Sequence, residues 1–313
     1  MRSSPTLRIP ETRRRPVVTG ILRWYRRAGR SLPWRKTRDP YHILVSEYML
    51  QQTQVSRVRS FYPHFLSRFP TTSALASADQ QQVLRAWQGM GYNNRAVRLH
   101  RAARMIASSR AAGFPRDYDA LVGLPGVGKY TAHAILVFAF NRQLPVVEVN
   151  IRRVLSRVFW KMRSPADLRH EDEIWKLASC LLPKSRAAAW NHALMDFGAL
   201  MCTARRPSCR RCPIAGRCLS RPSMFRPTPR DGRKEPSFRG VPNRIYRGRI
   251  IKELCLLPPG RSMPLERLGT SIAPAFTERN SQWLVRLLKD LETDGLVCVR
   301  GNGSLHTRRV SLA

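Results

Sequence analysis

The stretch LPGVGKYTAHAIL, from Leu124 to Leu136, joins two helix-like segments through a short turn that contains two glycines. Pro125 ends the helix predicted for the preceding residues DYDALVGL, and Gly126 and Gly128 allow backbone angles that other residues avoid. Without side chains the backbone N–H groups stay accessible, and the N-terminal end of the next helix carries a partial positive charge. The turn is therefore predicted to bind an anion such as a phosphate, with a plain helix–helix turn as the alternative.

The composition indicates which partners such a turn could have. The chain has 313 residues, 43% of them hydrophobic, which is enough for a sizeable core and suggests about two domains. Its 56 Lys and Arg residues exceed its 20 Asp and Glu residues, and the net charge is +36. A polyanion is the expected partner, with nucleic acid first and a membrane surface second. No run of about 18 apolar residues exists, so no spanning helix is predicted.

Residues 1–18 are basic and lack the apolar core of about 7–15 residues that a secretory signal needs. They are predicted to form a flexible basic arm; an organellar transit peptide is a weaker alternative because of Glu11. The seven cysteines of so long a chain favour a metal site or free thiols over disulfides. A cytoplasmic, nucleoid-associated location is expected, or an organellar or nuclear one in a eukaryote.

Residues 19–220 are predicted to form a helical domain, because apolar residues recur there at intervals of three and four. The glycine turn lies in a helical hairpin at residues 117–140. Residues 221–243, with their five prolines, are predicted to be a linker. Residues 244–313 resemble a winged helix: three helical segments are followed by two short strands around Gly301-Asn302-Gly303.

Four cysteines are clustered in CTARRPSCRRCPIAGRC, with the spacing C-x6-C-x2-C-x5-C. Four thiolates in so short a segment suit a [4Fe–4S] cluster or a zinc ion. Either metal would fix an irregular loop, at residues 202–218, and present Arg205 and Arg206 to a nucleic acid. The predicted metal ligands are Cys202, Cys209, Cys212 and Cys218.

Three motifs together, LPGVGKYTA, the cysteine array and VSEYMLQQTQV at residues 45–55, resemble the endonuclease III superfamily of DNA glycosylases. The adenine DNA glycosylase (MutY) family is the most similar, and the resemblance covers roughly residues 31–219. It implies an all-α, two-lobed helix-hairpin-helix fold with double-stranded DNA in the cleft. It also implies a [4Fe–4S] cluster rather than zinc. To this fold the sequence adds the small C-terminal winged-helix-like α+β domain.

The resemblance also implies roles for individual residues. Glu47 matches the catalytic acid, and Gln52 matches a residue that is wedged into the duplex opposite the flipped base. Tyr92 matches part of an aromatic wedge. The remaining matches are the hairpin residues Gly126, Val127 and Gly128, the tyrosine of adenine glycosylases at Tyr130, and Asn150 beside the second carboxylate.

This sequence departs from the family at three points. The family's second carboxylate is an aspartate, whereas VVEVNIRRV places Glu148 there. The second aromatic residue after GMGY is replaced by Asn93. The usual C-terminal domain of adenine glycosylases, which helps to recognise 8-oxoguanine, is replaced by the winged-helix-like unit.

Cleavage of an N-glycosidic bond requires a flipped nucleotide, a proton for the leaving base and stabilisation of an oxocarbenium-like sugar. Glu47, in a mostly apolar helix, is expected to have a raised pKa and to donate the proton; Glu148 is expected to stay ionised beside the sugar. Relatives that nick the strand carry a Schiff-base lysine where this chain has Tyr130. Lys129, about 100° away around the helix, is predicted to face the DNA backbone.

The prediction is a monomeric, monofunctional DNA glycosylase, not associated with a membrane, that removes adenine opposite 8-oxoguanine or guanine. An enzyme that removes thymine or uracil from mismatches with guanine is the first alternative. A catalytically weak DNA-binding protein is the second, since Glu148 replaces the expected aspartate.

Overall fold

The computed structural model describes residues 9–109, 113–160, 171–221 and 235–313. The helices in these ranges are α1 Glu11–Ala28, α2 Pro40–Leu50, α3 Val55–Arg68, α4 Thr72–Ser77, α5 Gln80–Trp87, α6 Asn94–Ser108, α7 Tyr118–Val122, α8 Lys129–Phe138, α9 Val149–Phe159, α10 Glu171–Leu181, α11 Ala187–Asp196, α12 Asn243–Leu256, α13 Leu265–Ile272 and α14 Ser281–Thr293. The strands are β1 Ser237–Phe238, β2 Val241–Pro242, β3 Met263–Pro264, β4 Val297–Arg300 and β5 Arg309–Leu312. None of the described helices is long and apolar enough to cross a bilayer.

The chain divides into two compact units, and unit 1 comprises residues 1–43, 116–122 and 127–232. Its core is formed by α1, α9, α10 and α11, whose apolar faces meet around Ile21, Val154 and Trp190. Trp24 packs edge-on against Phe197, with ring centroids 5.3 Å apart. The helical periodicity predicted for residues 19–220 is confirmed in the described part of this unit.

The predicted basic arm at residues 1–18 differs from the structure, because α1 already begins at Glu11. Residues 1–8 lie outside the described part. Val17 is buried, and Arg13 donates to Val158 O at 2.9 Å. Arg14 donates to Cys180 O at 2.8 Å. These arginines cap carbonyls of the protein itself, so part of the basic segment is structural.

Unit 2 comprises residues 44–115, 123–126 and 233–313. Helices α3 to α6 pack around Trp87, which is fully buried and meets Phe65 edge-on at a centroid distance of 5.6 Å. Asp79 caps α5 through a reciprocal pair of hydrogen bonds with Gln82, an arrangement that satisfies free N–H groups at a helix start.

The C-terminal part of unit 2 has the element order of a winged helix: α12, β3, α13, α14, β4 and β5. Its antiparallel sheet has the strand order β3-β5-β4, and Gly301 and Gly303 in the β4–β5 connection have positive φ. The predicted linker at 221–243 is in part ordered, because β1 pairs with β2 across Arg239-Gly240. Residues 222–234 of that linker lie outside the described part.

The winged-helix-like part contacts α5 of the same unit through side chains that donate to main-chain carbonyls. Gln81 Nε2 donates to Leu257 O at 2.8 Å, and Arg85 Nε donates to Cys255 O at 2.8 Å. Gln80 Nε2 donates to Gly295 O at 3.1 Å. This part of the chain is therefore fixed against the helical part of unit 2.

Candidate active site

The predicted hairpin turn lies between α7 and α8. Gly126 has φ +86°, and a Cβ atom there would lie 3.2 Å from both Tyr48 and Arg98, so this position requires glycine. Tyr48 Oη donates to Pro125 O, and both residues belong to unit 2. Gly128 is the extended N-cap residue of α8, has no side-chain cap, and has open space where a Cβ would be. The first N–H groups of α8 are thus accessible to an anion.

Gln52 and Tyr92, the predicted wedge residues, both adopt left-handed backbone conformations, with φ values of +55° and +47°. Such angles cost energy in residues other than glycine and persist only where the surroundings enforce them. The Tyr92 side chain is 52% exposed, which is unusual for an aromatic residue. The structure therefore holds an exposed aromatic ring and an exposed amide in strained positions.

Arg95 enforces these conformations, and the sequence reasoning did not single it out. Its buried guanidinium donates to Tyr48 O and Met49 O, both at 2.9 Å, and also to Gln51 O. On the other side it donates to Gly91 O at 3.0 Å. Burial lowers the Arg95 pKa to about 10, which still leaves it charged at neutral pH. One cation thus joins the chain around Gln52 to the chain before Tyr92.

Glu47 lies in α2, is only 5% exposed, and is surrounded in sequence by the buried residues Val45 and Tyr48. Charged side chains are rarely buried to this extent unless their role requires it. The burial agrees with the apolar environment that the sequence suggested for the predicted general acid.

Glu148 is the N-cap residue of α9. Its carboxylate accepts from Asn150 N at 2.8 Å, Asn150 Nδ2 at 2.9 Å and Ile151 N at 2.9 Å. Burial raises the pKa of Glu148, while these donors and the nearby Arg153 oppose the rise. The expected ionised state of Glu148 thus depends on the donors, among them Asn150, which lies beside the carboxylate as predicted.

Arg153 connects this carboxylate site to the cysteine loop within unit 1. It donates to Asn150 Oδ1 at 2.7 Å, to Gly198 O at 2.6 Å and to Cys202 O at 3.0 Å. A Cβ on Gly198 would lie 2.7 Å from Asn150 Cβ, so the glycine permits this close packing. The link was not apparent from the sequence, because its members are far apart in the chain.

Tyr130 and Lys129 begin α8 and have different surroundings. Tyr130 is half-buried and packs against the apolar cluster that contains Ala134 and Val137. Lys129 is exposed, and its Nζ lies 4.4 Å from the ring centroid of Trp175, a cation–π contact. The predicted contact of Lys129 with DNA stays a prediction.

The four cysteines of the array line one cavity in unit 1, together with Arg157 and Ile214. Arg157 donates to Thr203 O at 2.7 Å and to Cys202 Sγ at 3.4 Å, and thereby shapes the loop. Among the described residues, no three His, Cys, Asp or Glu side chains are placed to hold a single metal ion. Arg205 and Arg206 are exposed beside this cavity.

The helical hairpin, the buried Glu47, the half-buried Glu148 at the start of α9 and the cysteine loop together indicate a class of DNA repair protein. Residues 45–180 match the family described as HhH-GPD superfamily base excision DNA repair protein. Within that superfamily the chain belongs to the adenine DNA glycosylase family. It is 42% identical over 290 residues to the adenine DNA glycosylase of Mycolicibacterium smegmatis, a match that covers 90% of this chain and 96% of that protein.

Other relatives have the same description. The adenine DNA glycosylase of Mycobacterium tuberculosis is 42% identical over 293 residues, covering 91% of this chain and 94% of that protein. The Homo sapiens protein is 39% identical over 210 residues, which cover 64% of this chain and 38% of that protein. The mycobacterial matches therefore extend into the C-terminal part of unit 2.

Solved structures agree with the fold. A thermostable thymine-DNA glycosylase superposes with a TM-score of 0.63 and 30% identity over 68% of this chain and 98% of that chain. An endonuclease III–DNA covalent intermediate superposes with a TM-score of 0.61 and 22% identity over 70% of this chain and 100% of that chain. The predicted all-α glycosylase fold with a small C-terminal domain is confirmed.

Proposed function

We propose that the protein hydrolyses the N-glycosidic bond of adenine mispaired with 8-oxoguanine or guanine in double-stranded DNA. The observation that carries the proposal is Glu47, a carboxyl group 5% exposed, in a chain 42% identical to a protein named adenine DNA glycosylase. A purine gains most from protonation as it leaves, and a buried carboxyl group is the usual source of such a proton. The protein acts as a monomer in this proposal.

In the proposed mechanism Glu47 donates a proton to a ring nitrogen of the flipped adenine while the bond to C1′ breaks. The base leaves neutral and the sugar becomes an oxocarbenium-like cation. Glu148, oriented by Asn150, supplies the negative charge that stabilises this cation. Water then adds to C1′ and loses a proton, which leaves an abasic site.

The proposed reaction is hydrolysis of the N-glycosidic bond alone, without cleavage of the DNA strand. A strand-nicking relative forms a Schiff base through a lysine at the position of Tyr130. Tyr130 packs against an apolar cluster and offers no amine. Lys129 is the neighbouring amine, and it contacts the Trp175 ring.

The four cysteines fit a [4Fe–4S] cluster, because all four thiols line one cavity and four thiolates are the usual ligands of such a cluster. We propose that Cys202, Cys209, Cys212 and Cys218 hold this cluster. When bound it would fix the loop at residues 202–218 by coordination, a structural contribution rather than a step in the reaction. Arg157 already holds the start of that loop through Thr203 O.

A second candidate activity is removal of thymine or uracil mispaired with guanine. This candidate is supported by the similarity to a solved thymine-DNA glycosylase, which is 30% identical to this chain over 98% of its own length. Pyrimidine removal depends less on protonation of the leaving base, so it would require less of Glu47.

One assay separates these candidates. The protein is incubated with duplexes carrying A·8-oxoG, A·G, T·G or U·G, and the strands are cleaved with hot alkali. Strand breaks at the adenine of the first two duplexes, lost in Glu47→Gln, are the expected result. Breaks only at T·G or U·G would overturn the adenine assignment, and breaks in none would favour a DNA-binding protein without activity.

A further inference from the structure

A groove of about 1070 Å³ lies within unit 2 and is not used by the chemistry described above. It is lined by the segment 88–94, by residues 52–54 and by α12 of the winged-helix-like part. Its size is that of a site for an extended ligand rather than for a water or an ion.

The groove is strongly basic. Five of the described residues that line it are Arg or Lys and none is Asp or Glu; they are Arg57, Arg244, Arg247, Arg249 and Lys252. Arg247 forms ion pairs with Asp290 and Asp294, and Arg249 donates to Ile272 O. Arg57, Arg244 and Lys252 are exposed, and the only acid described beside Arg244 is the exposed Glu235. Exposed pairs of this kind contribute little, so Arg244 stays able to bind an anion.

Gly248 lies in the middle of α12 and lines the groove. A glycine in a helix interior weakens the helix relative to alanine. No atom lies within 4 Å of the position of a Cβ on Gly248, so packing inside the protein does not require this glycine. A glycine that internal packing does not require leaves room for another molecule to approach the helix backbone.

Apolar side chains accompany the cations. Tyr92 is 52% exposed and Ile245 is 38% exposed, and both line the groove with Gln52. An aromatic ring beside a row of cations is typical of surfaces that bind nucleotides. Because Gln52 and Tyr92 are the predicted wedge residues, the groove lies next to the position predicted for the mispair.

We infer that this groove binds the sugar–phosphate backbone of the DNA beside the mispair, with Gly248 as the point of closest approach. The inference rests on the proposed function, since it takes mispaired DNA as the ligand. It assigns the contact to α12, the first helix of the winged-helix-like part. Winged-helix and helix-turn-helix proteins more often read DNA with a later helix, here α14.

The test measures binding of a duplex in which the adenine carries a 2′-fluorine opposite guanine. The fluorine destabilises the oxocarbenium-like state, so that the duplex is bound without being cleaved. Affinity is measured by fluorescence anisotropy across about 50 to 200 mM NaCl. Arg244→Ala and Lys252→Ala should each lower affinity about tenfold and reduce the slope of log K against log salt by about 1.

Gly248 allows a test in which stability and binding move in opposite directions. Gly248→Ala should raise the thermal midpoint by about 2 °C, because alanine is the better helix former, and yet weaken binding about threefold. Gly248→Gln, with a larger side chain and good helix propensity, should weaken binding more than tenfold. Loss of binding with a raised or unchanged midpoint excludes misfolding as the cause.

The matched controls are Arg286→Ala and Lys289→Ala, exposed cations on α14 that do not line the groove. They should change neither affinity nor salt slope. A salt slope reduced only by the α14 variants, or equal affinities in all variants, would overturn the inference. Excision by the unaltered protein tests the proposed function separately, so either conclusion can fail without the other.

Discussion

Replacement of Arg95 by methionine should destabilise unit 2 and loosen the segments that carry Gln52 and Tyr92. The guanidinium donates to six backbone carbonyls, of residues 48, 49, 51, 90, 91 and 92, and to the Thr53 hydroxyl. Its five N–H groups share these acceptors, so at about 1.5 kcal/mol for each charged N–H group the sum is about 7.5 kcal/mol. Relaxation and water entry at the exposed side should recover about half, leaving a loss of about 4 kcal/mol.

Urea unfolding measures this loss, and Arg95→Lys provides a graded comparison. Lysine keeps the charge but has three N–H donors and lacks the planar guanidinium geometry. Arg95→Lys should therefore lower the free energy of unfolding by about 2 kcal/mol. Arg104→Met is the control on the same helix. Arg104 is exposed and donates to Ala76 O at 3.2 Å and Ala78 O at 3.4 Å, so the loss in Arg104→Met should stay below about 1 kcal/mol.

The same variant should affect recognition. Below its unfolding transition, Arg95→Met should lose affinity for a mispaired duplex while it keeps salt-dependent affinity for a matched one. A 2-aminopurine next to the mispair should fluoresce less on binding, because the wedge segments no longer stabilise the opened duplex. An unchanged urea midpoint together with unchanged fluorescence would refute the role of Arg95 in holding the segments around Gln52 and Tyr92 in place.

Further predictions concern the carboxylate, the amine and the cysteines. Glu148→Gln should nearly abolish single-turnover excision, whereas Glu148→Asp should keep much of it; full activity in Glu148→Gln would exclude the proposed role. Because burial raises the pKa of Glu148, the stability of the wild type should fall as pH rises from the ordinary carboxyl pKa through the raised one; Glu148→Gln should lack this fall, measured by urea unfolding across pH. Tyr130→Lys should yield a borohydride-trapped Schiff base with cut DNA, whereas Lys129→Ala should only weaken binding; trapping by the unaltered protein that Lys129→Ala abolishes would reverse that assignment. The purified protein should be brown with about four irons, and Cys212→Ser should lose colour and iron; a colourless protein with one zinc would contradict the cluster.

The parts of the site that could be predicted from the sequence are those with local signals. Pro125, Gly126 and Gly128 mark a turn wherever they occur in this order, since their effect on the backbone does not depend on distant residues. Glu148 was identified by its resemblance to the family's second carboxylate, and the structure adds that it caps the start of α9. The short spacing of the four cysteines likewise predicts that they share one metal site, whatever the rest of the chain does.

The remaining parts depend on contacts between distant residues. Arg95 holds Gln52 and Tyr92 in their left-handed conformations. No local sequence pattern predicts that this side chain donates to carbonyls 44 to 47 residues away. The β1–β2 hairpin was missed because a two-residue strand within a proline-rich segment has no periodicity. The start of α1 was missed because its arginines suggested an arm, whereas they cap carbonyls of distant helices.

The docking of the winged-helix-like part on α5 has a consequence for how this protein diverges. The donors Gln81 and Arg85 belong to α5, whereas the acceptors are main-chain carbonyls at Cys255 and Leu257. A carbonyl is present whatever the residue, so this attachment requires particular side chains only at the donors of α5. Related lineages should therefore retain Gln81 and Arg85, whereas the attachment sets no requirement on the side chain of Leu257; Cys255 is constrained by its burial instead. The C-terminal part can in this way acquire new surface chemistry without losing its place on the enzyme.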